Sequence, residues 1–439
     1  MSALLPVPGL APAAKPKKLA YSERVLSSGL RVVAIRRPTV PMVEVRLRIP
    51  FFSAKPQHLA RSALLAGTIR TGTAERDRAS LAIALGDLGA ELSVGRDADR
   101  LLLSASAIAA GLPALLGLYA EILTSASYRP AEVSGERSRL LERITMSRSQ
   151  PGVIAGEALA DRMAPGHPYG RTLPDEADVA ATTAAQLRSL HAGLVRPDGA
   201  LLVIVGDITP ARALAAAESA LDGWTGAAPA AKEPPLPPIT GGPLRIVDRP
   251  GSVQTAFRFG APGLPRHDER YPALQLANLI FGGYFSSRWV ENIRERKGFS
   301  YSPRSALEHA TLRSSLLVSA DVATEVSAPA LLETLYELGR MASAPVTEAE
   351  LESVRQYAIG TLALSTATQA GLATSASALL SAGAGLEWLA THPVRLAKVT
   401  VAEVAEVAAE FLAPRRLAGV AVGDAGAITA PLAAIVEVE

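Results

Sequence analysis

The sequence predicts an α+β protein made of two homologous halves, each a mainly antiparallel sheet packed by helices. Three observations carry this reading. The chain has 439 residues, too many for one ordinary core. It repeats itself at a constant interval. Within each copy, strands of alternating apolar and polar residues are followed by long helical runs, the order expected of an α+β layer fold.

The repeat is clearest where the copies end. The segment "TTAAQLRSLHAGLVRPDGALLVIVGDI" (Thr182–Ile208) resembles "TVAEVAEVAAEFLAPRRLAGVAVGDA" (Thr400–Ala425). Each reads as an amphipathic helix, a proline, and an apolar strand closing on Val-Gly-Asp. Gly206 and Gly423 lie 217 positions apart, as do Pro197 and Pro414, and Thr183 and Thr400. Leu118-Tyr119 and Leu335-Tyr336 stand at the same interval further upstream. Between the copies lies "GAAPAAKEPPLPPITGGP" (Gly226–Pro243), too rich in Pro, Ala and Gly for a regular element. The expected organisation is an N-terminal arm at 1–20, a first repeat at 21–225, a linker at 226–243 and a second repeat at 244–439.

Each copy is expected to run through the same elements. The opening strands are "LRVVAIRR" and "MVEVRLRI" in the first and "PLRIVDR" and "VQTAFRFG" in the second. Their alternation suits a half-buried antiparallel sheet. A helix follows ("QHLARSALLAG"; "YPALQLANLIFG"), then a strand segment ("ELSVGRDADRLLLSASA"; "SYSPRSALEHATLRSSLLVSA"). Two or three long helices come next, before the final helix–strand pair.

Composition excludes several function classes. Hydrophobic residues make up 49% and aromatics 5%, which argues against a stacking platform for sugars or single-stranded nucleic acid. The net charge is +2, and the one short basic cluster, "KPKK" at Lys15–Lys18, is too small to track phosphates. Nucleic acid is not an expected partner. With no Cys there are no disulfides and no thiolate-bound metals. No apolar run reaches the roughly 18 residues of a membrane span, and Pro6 and Pro8 spoil the N-terminus as a signal peptide. The expected setting is cytoplasmic, without membrane contact.

One stretch stands apart from this apolar background. "GGYFSSRWVENIRERKGFSYS" (Gly282–Ser302) packs charge, serine and aromatics together. It resembles a signature of the insulinase/pitrilysin superfamily, in its short, mitochondrial-processing-peptidase-like branch: Gly-Gly-x-x-Ser-Ser-Arg-Leu-x-x-x-Ile-Arg-Glu-x-x-Gly-x-x-Tyr. The matching residues are Gly282, Gly283, Ser286, Ser287, Arg288, Ile293, Arg294, Glu295, Gly298 and Tyr301. The repeat, the linker and the length agree with that family, so the resemblance spans nearly the whole chain. It implies a LuxS/processing-peptidase-like metallohydrolase fold forming half of a clamshell. It also implies that Arg294 and Tyr301 hold a substrate backbone near the scissile bond. A guanidinium fork suits a peptide carbonyl, and a phenol can donate to the oxyanion of a tetrahedral intermediate.

The family's zinc site is missing. Its inverted motif, His-x-x-Glu-His, puts two zinc ligands and a general base on the first long helix. Counting back from Gly72-Thr73, the motif positions fall on Ala63, Leu64, Leu65, Ala66 and Gly67. The third ligand, a glutamate about 75 residues on, falls on Glu142 or Arg143 depending on a one-residue choice of alignment. Glu136 matches an accompanying family glutamate. The six histidines, His58, His167, His191, His267, His309 and His392, include no pair at helical ligand spacing. His167, in "GHPYGR", reads as a turn residue. No phosphate-binding Gly-x-x-x-x-Gly-Lys-Ser/Thr loop and no Gly-x-Ser-x-Gly elbow is present.

The resemblance therefore implies a non-catalytic subunit of a two-chain zinc endopeptidase. No cofactor is expected on this chain; the zinc would sit in a homologous partner bearing His-x-x-Glu-His. The substrate would be an extended peptide, added as a strand to a sheet edge. The alternatives are a structural subunit like the core proteins of respiratory complex III, or a homodimeric peptide-binding module.

Overall fold

The computed structural model describes residues 19–229 and 233–439. The expected N-terminal arm, with Lys15–Lys18, therefore lies outside the described residues except for its last two positions, as do residues 230–232 of the linker. Two sheets organise the molecule. The first comprises β1 (Ala20–Val25), β2 (Arg31–Arg36), β3 (Met42–Pro50), β4 (Glu91–Arg96), β5 (Arg100–Ile108) and β6 (Leu201–Gly206), in the order β1-β2-β6-β3-β5-β4. The second comprises β7 (Arg245–Asp248), β8 (Gln254–Pro262), β9 (Arg304–His309), β10 (Ser314–Ala323) and β11 (Ala418–Gly423), in the order β7-β11-β8-β10-β9. Without β1, the two orders are the same.

Both sheets are mixed. The β2–β6 and β7–β11 pairs are parallel and all other pairs antiparallel. A last strand reached through a long helical crossover can return beside the first strand in the same direction, which the residue alternation alone did not reveal. The long strand segments of each copy are hairpins. In the first, Asp97 Oδ1 accepts from the backbone N–H of Asp99 and Arg100, at 3.1 and 2.8 Å, and turns β4 into β5.

The repeat holds in detail at its closing helix. Thr183 with Gln186, and Thr400 with Glu403, form matching capping boxes at the starts of helices Ala184–Leu194 and Val401–Phe411. Upstream the interval changes. Strands β5 and β10 end at Ile108 and Ala323, 215 apart, and each leads through a single 3₁₀ turn into a helix. Buried Tyr119 is thus matched by buried Thr334, and not by Tyr336, which is 58% exposed. The Leu118-Tyr119/Leu335-Tyr336 pairing is an off-by-two coincidence produced by unequal loops.

Each sheet is covered on both faces along its middle, but the covers are exchanged. One face of the first sheet meets that half's own helices around Leu47, Leu64, Leu116 and Trp224. Its other face, through Val33, Ile35 and Val203, packs on Leu372, Ala376 and Leu380 of helix Gln369–Ser381, from the second half. Reciprocally, Ala155, Leu159 and Met163 of helix Pro151–Met163 pack on Ala256, Val420 and Val422 of the second sheet. This is why "LLVIVG" in β6 and "AGVAVG" in β11 are buried at every position. Burying one large aliphatic side chain contributes about 1.5–3 kcal/mol, so the exchanged helices tie the halves together.

Two arginines mark the pseudo-symmetry. Arg46 donates to its neighbour's carbonyl, Val45 O at 3.1 Å, and across the ladder to Ala105 O at 3.3 Å. Arg258 does the same with Phe257 O at 2.8 Å and Ala320 O at 3.4 Å. Each guanidinium abuts the exchanged helix: Arg46 Nε reaches Thr374 at 3.5 Å, and a Cβ on Gly152 would meet Arg258 at 2.6 Å. The C-terminal residues close the same junction. Arg162 donates to Gly419 O at 3.1 Å and to the Glu439 carboxylate at 2.9 Å.

Candidate functional site

The signature stretch forms a rigid corner of the second half. Helix Tyr271–Asn278 runs into a π-helical turn, Leu279–Gly283. A Cβ on Gly282 would come within 2.8 Å of the Trp289 ring, and one on Gly283 within 3.0 Å of Asn278 O, so the Gly-Gly pair is required by close packing. Trp289 is buried, stacked on Phe281 at 5.3 Å, and donates to Thr334 Oγ1 at 3.1 Å. Ser287 Oγ donates to Tyr284 O at 2.7 Å. Arg288 grips Glu350 with two bonds of 2.7 and 2.8 Å, and Asn292 donates to Glu333 and Glu337 at 2.8 and 3.0 Å. Hydrogen bonds from Arg288 hold the Glu350 carboxyl down to about 2. The chain leaves a second π-helical turn, Glu291–Arg296, through Gly298 at φ +66°. Most of the signature residues are thus anchors.

Arg294 and Tyr301 are what these anchors present. The Arg294 guanidinium carbon lies 4.7 Å from the centre of the Tyr301 ring and 4.6 Å from that of Phe285. The two rings are 82% and 56% exposed, while the Arg294 side chain between them is 29% exposed. Its Nε contacts the Glu295 carboxylate at 3.1 Å. Stacking on ring faces fixes the guanidinium plane and leaves in-plane donors available to an acceptor. Phe285 was not singled out from the sequence. Its exposure and its contact with Arg294 belong to the folded chain and leave no mark in the local sequence pattern.

The degenerate motif lies on helix His58–Thr68 of the first half. Leu64, Leu65 and Ala66 are buried in that half's core, and Ala63 packs against it. The space over Gly67 is taken by Glu136: a Cβ there would meet Glu136 Cγ and Oε1, both at 2.7 Å. Glu136 is 7% exposed and accepts from Arg139 Nε at 2.9 Å and Arg143 at 2.7 Å. Burial alone would raise its carboxyl, but the hydrogen bonds from Arg143 and Arg139 outweigh that and hold it below the usual carboxylate range. Arg143 therefore shares the Glu136 face of helix Pro130–Arg148, whereas Glu142 is exposed on another face. The donor set does not fit zinc. Ala63, Ala66 and Gly67 offer no ligand atom, and guanidinium groups occupy the surviving carboxylate. Among the described residues, no group of three His, Asp or Glu side chains converges as a metal site.

The histidines do other work. His58 contacts Phe51 O at 2.7 Å and His191 contacts Leu123 O at 2.8 Å, and burial lowers both rings. His167 accepts from Tyr169 N at 3.1 Å and caps the 3₁₀ turn Pro168–Gly170. His392 stacks on Trp388 at 3.9 Å and bonds Gln275 at 2.7 Å. His267 is exposed, and His309 lies at the junction of the halves.

Two like sheets with exchanged helices, one half carrying an arginine–aromatic stack and the other no converging metal ligands among the described residues, are the features to set beside known proteins. Residues 181–357, which include Arg294 and Tyr301, match the family model described as "Peptidase M16 inactive domain". An uncharacterized zinc protease of Mycobacterium tuberculosis is 27% identical over 421 residues, covering 93% of this chain and 94% of that protein. One of Streptomyces coelicolor is 25% identical over 288 residues, 63% of this chain and 62% of that protein. A probable inactive metalloprotease of Bacillus subtilis is 24% identical over 200 residues, 44% and 45% of the two chains. Among solved structures, a peptidase M16 inactive domain from Pseudomonas fluorescens superposes with a TM-score of 0.84 at 22% identity, covering 92% of this chain and 98% of that one. A protease from Helicobacter pylori does so with 0.85 at 17% identity, covering 92% and 100%. Residues 181–357 thus resemble the M16 peptidase family, and the fold of the described residues agrees with a solved structure so described.

Proposed function

We propose that this chain is the non-catalytic subunit of a two-chain zinc endopeptidase, placing Arg294 and Tyr301 against a peptide held at the zinc of a homologous partner. The observation that carries the reading is the Phe285–Arg294–Tyr301 stack. An arginine oriented by two largely exposed rings serves no core, and its remaining donors suit a peptide carbonyl. The motif helix supplies the complement, since its ligand positions hold Ala63, Ala66 and Gly67. The partner would be a chain of similar length carrying His-x-x-Glu-His, with the peptide enclosed between the two subunits. A cytoplasmic setting remains part of the proposal; among the described residues no helix is long and apolar enough to cross a membrane.

The test is reconstitution. The chain is purified alone, then mixed with the product of any neighbouring reading frame that encodes a homologue with the intact motif. The expected result is no zinc and no peptide hydrolysis from the chain alone, and zinc-dependent hydrolysis from the mixture. Hydrolysis by the chain alone, or a mixture no faster than the partner by itself, overturns the assignment.

A further inference from the structure

The exchanged helices cover only the middle of each sheet. Between them, where the β4–β5 turn of the first half faces β9 and β10 of the second, the two halves leave a cavity of about 680 Å³, lined also by Gly152, Gly156 and Met163 of one exchanged helix and Ala378 of the other. Its charged lining is dominated by guanidinium: Arg48 and Arg100 from the first half, and Arg258, Arg266, Arg304 and Arg313 from the second. A neighbouring pocket of about 480 Å³ shares Arg48, Asp99, Arg100 and Thr311 with it, but its further charged lining, Arg31, Asp198 and Glu233, adds no excess of positive charge, so the basic surface is confined to the larger cavity.

Most of these arginines are held by uncharged acceptors, with Asp97 and Asp99 acting on Arg48 and Arg100 from beyond ion-pair contact. Arg48 Nε donates to Ser377 Oγ at 2.6 Å, Arg100 to Ser381 O at 2.7 Å, and Arg313 to Met163 O at 2.8 Å. The one hydrogen bond of Arg304 among the described residues runs to Ser319 Oγ, at 3.4 Å. Among the described residues, none of these four has a carboxylate oxygen within 4.0 Å. Arg258 alone of the six forms an ion pair among the described residues, with Asp321 at 2.7 Å. Three carboxylates also face the cavity. Asp97 is engaged by the backbone of its turn, Asp99 accepts from Tyr169 Oη at 2.6 Å, and Glu308 is exposed on β9. His309 adds no charge at neutral pH, because burial pushes it down to about 4, and its Nε2 is buried without a partner among the described residues.

We infer that this cavity binds a small polyanion, a molecule carrying several phosphates or carboxylates, which the arginines clamp from both halves at once. Clustered like charges at a junction of two packed layers repel one another unless a multivalent anion offsets them, and guanidinium forks match phosphate and carboxylate oxygens. At about 680 Å³ the cavity has the size of an ordinary small-molecule pocket. The inference is independent of the peptidase partner.

Isothermal titration of the full chain at low ionic strength tests it, with tripolyphosphate, citrate, inorganic phosphate and a glutamate-rich decapeptide as probes. Tripolyphosphate or citrate is expected to bind one to one, inorganic phosphate at least roughly tenfold more weakly, and affinity should fall as salt rises. Arg304→Ala is expected to weaken binding by about tenfold or more, as for a lost charged hydrogen bond. Arg304 is exposed on an edge strand, so the variant should melt like the native chain. Arg24→Ala removes one positive charge from the distant edge strand β1 and is expected to leave affinity unchanged. Equal losses in both variants, no binding of either polyanion at millimolar concentration, or binding of the decapeptide alone would each overturn the inference.

Discussion

Glu136 rests on Gly67: the carboxylate of one helix fills the space where a side chain on the other would stand, 2.7 Å from the position of a Cβ. A glycine, a glutamate and two arginines make a closed contact between two helices of the first half. The contact makes a testable demand. Alanine in place of a helical glycine normally stabilises by about 0.5–1 kcal/mol, but here it must displace a glutamate held by Arg139 and Arg143. Gly67→Ala is expected to destabilise by about 1–3 kcal/mol. Combined with Glu136→Ala, the same change should be neutral or stabilising relative to Glu136→Ala alone. A denaturant double-mutant cycle measures this, and simple additivity would refute the contact.

The stack around Arg294 separates orientation from chemistry. In the proposed two-chain peptidase, Arg294→Ala or Tyr301→Phe should cut turnover by the order of 100-fold, the loss typical of one transition-state donor. Phe285→Leu removes a ring face but no donor. Its expected effect is smaller, about tenfold, and should fall on kcat/KM, with the melting temperature unchanged because the side chain is exposed. Unaltered kinetics in Tyr301→Phe would show that the phenol takes no part.

Glu350 links the site's anchor to pH. Its folded carboxyl sits at about 2, against an ordinary 4.5, because Arg288 donates two hydrogen bonds to it. A carboxyl depressed by folding stabilises above its unfolded value, and that contribution fades as pH falls toward the folded one. Glu350→Gln is thus expected to be less stable than the native chain at pH 7, by about 1.5–3 kcal/mol for a charge-assisted contact. The difference should shrink below about pH 4.5 and vanish near pH 2. Thermal melts across that range read it directly; a gap that persists at pH 2 would mean that the ion pair is not its source.

Helix exchange predicts that the two halves unfold as one. Leu372 and Leu380 belong to the second half but are buried against Val33, Ile35 and Val203 of the first sheet. Leu372→Ala should cost about 2–5 kcal/mol. It should also raise amide exchange in β2 and β6, more than 150 residues away in sequence. Separate transitions for the two halves, or exchange changes confined to residues 369–381, would contradict it.

How far these features were legible in the sequence differs by element. The paired Thr183 and Thr400 capping signals, the Val-Gly-Asp strand ends and the Pro-rich linker are local, and a local pattern survives in one dimension. So did the Gly-Gly-x-x-Ser-Ser-Arg run, because each of its residues is fixed by packing within a few turns of chain. Tyr119 and Tyr336 misled because unequal loops shift the repeat by two, and a burial pattern is needed to recover the register. Phe285 was passed over for lack of a partner visible along the chain. The parallel β2–β6 and β7–β11 pairs, and the exchange of helices, join residues far apart in sequence and leave no periodic trace.

By itself the sequence determined which helix carries no metal ligand and which corner carries arginine and tyrosine, since side-chain identity at a motif position needs no coordinates. Only the tertiary structure decided what fills the emptied motif, what stacks on Arg294, and that arginines from both halves line one cavity. Those are contacts between elements brought together by burial of apolar surface, and that driving force is non-directional. The partners it brings into contact are therefore settled by the packing of the whole chain.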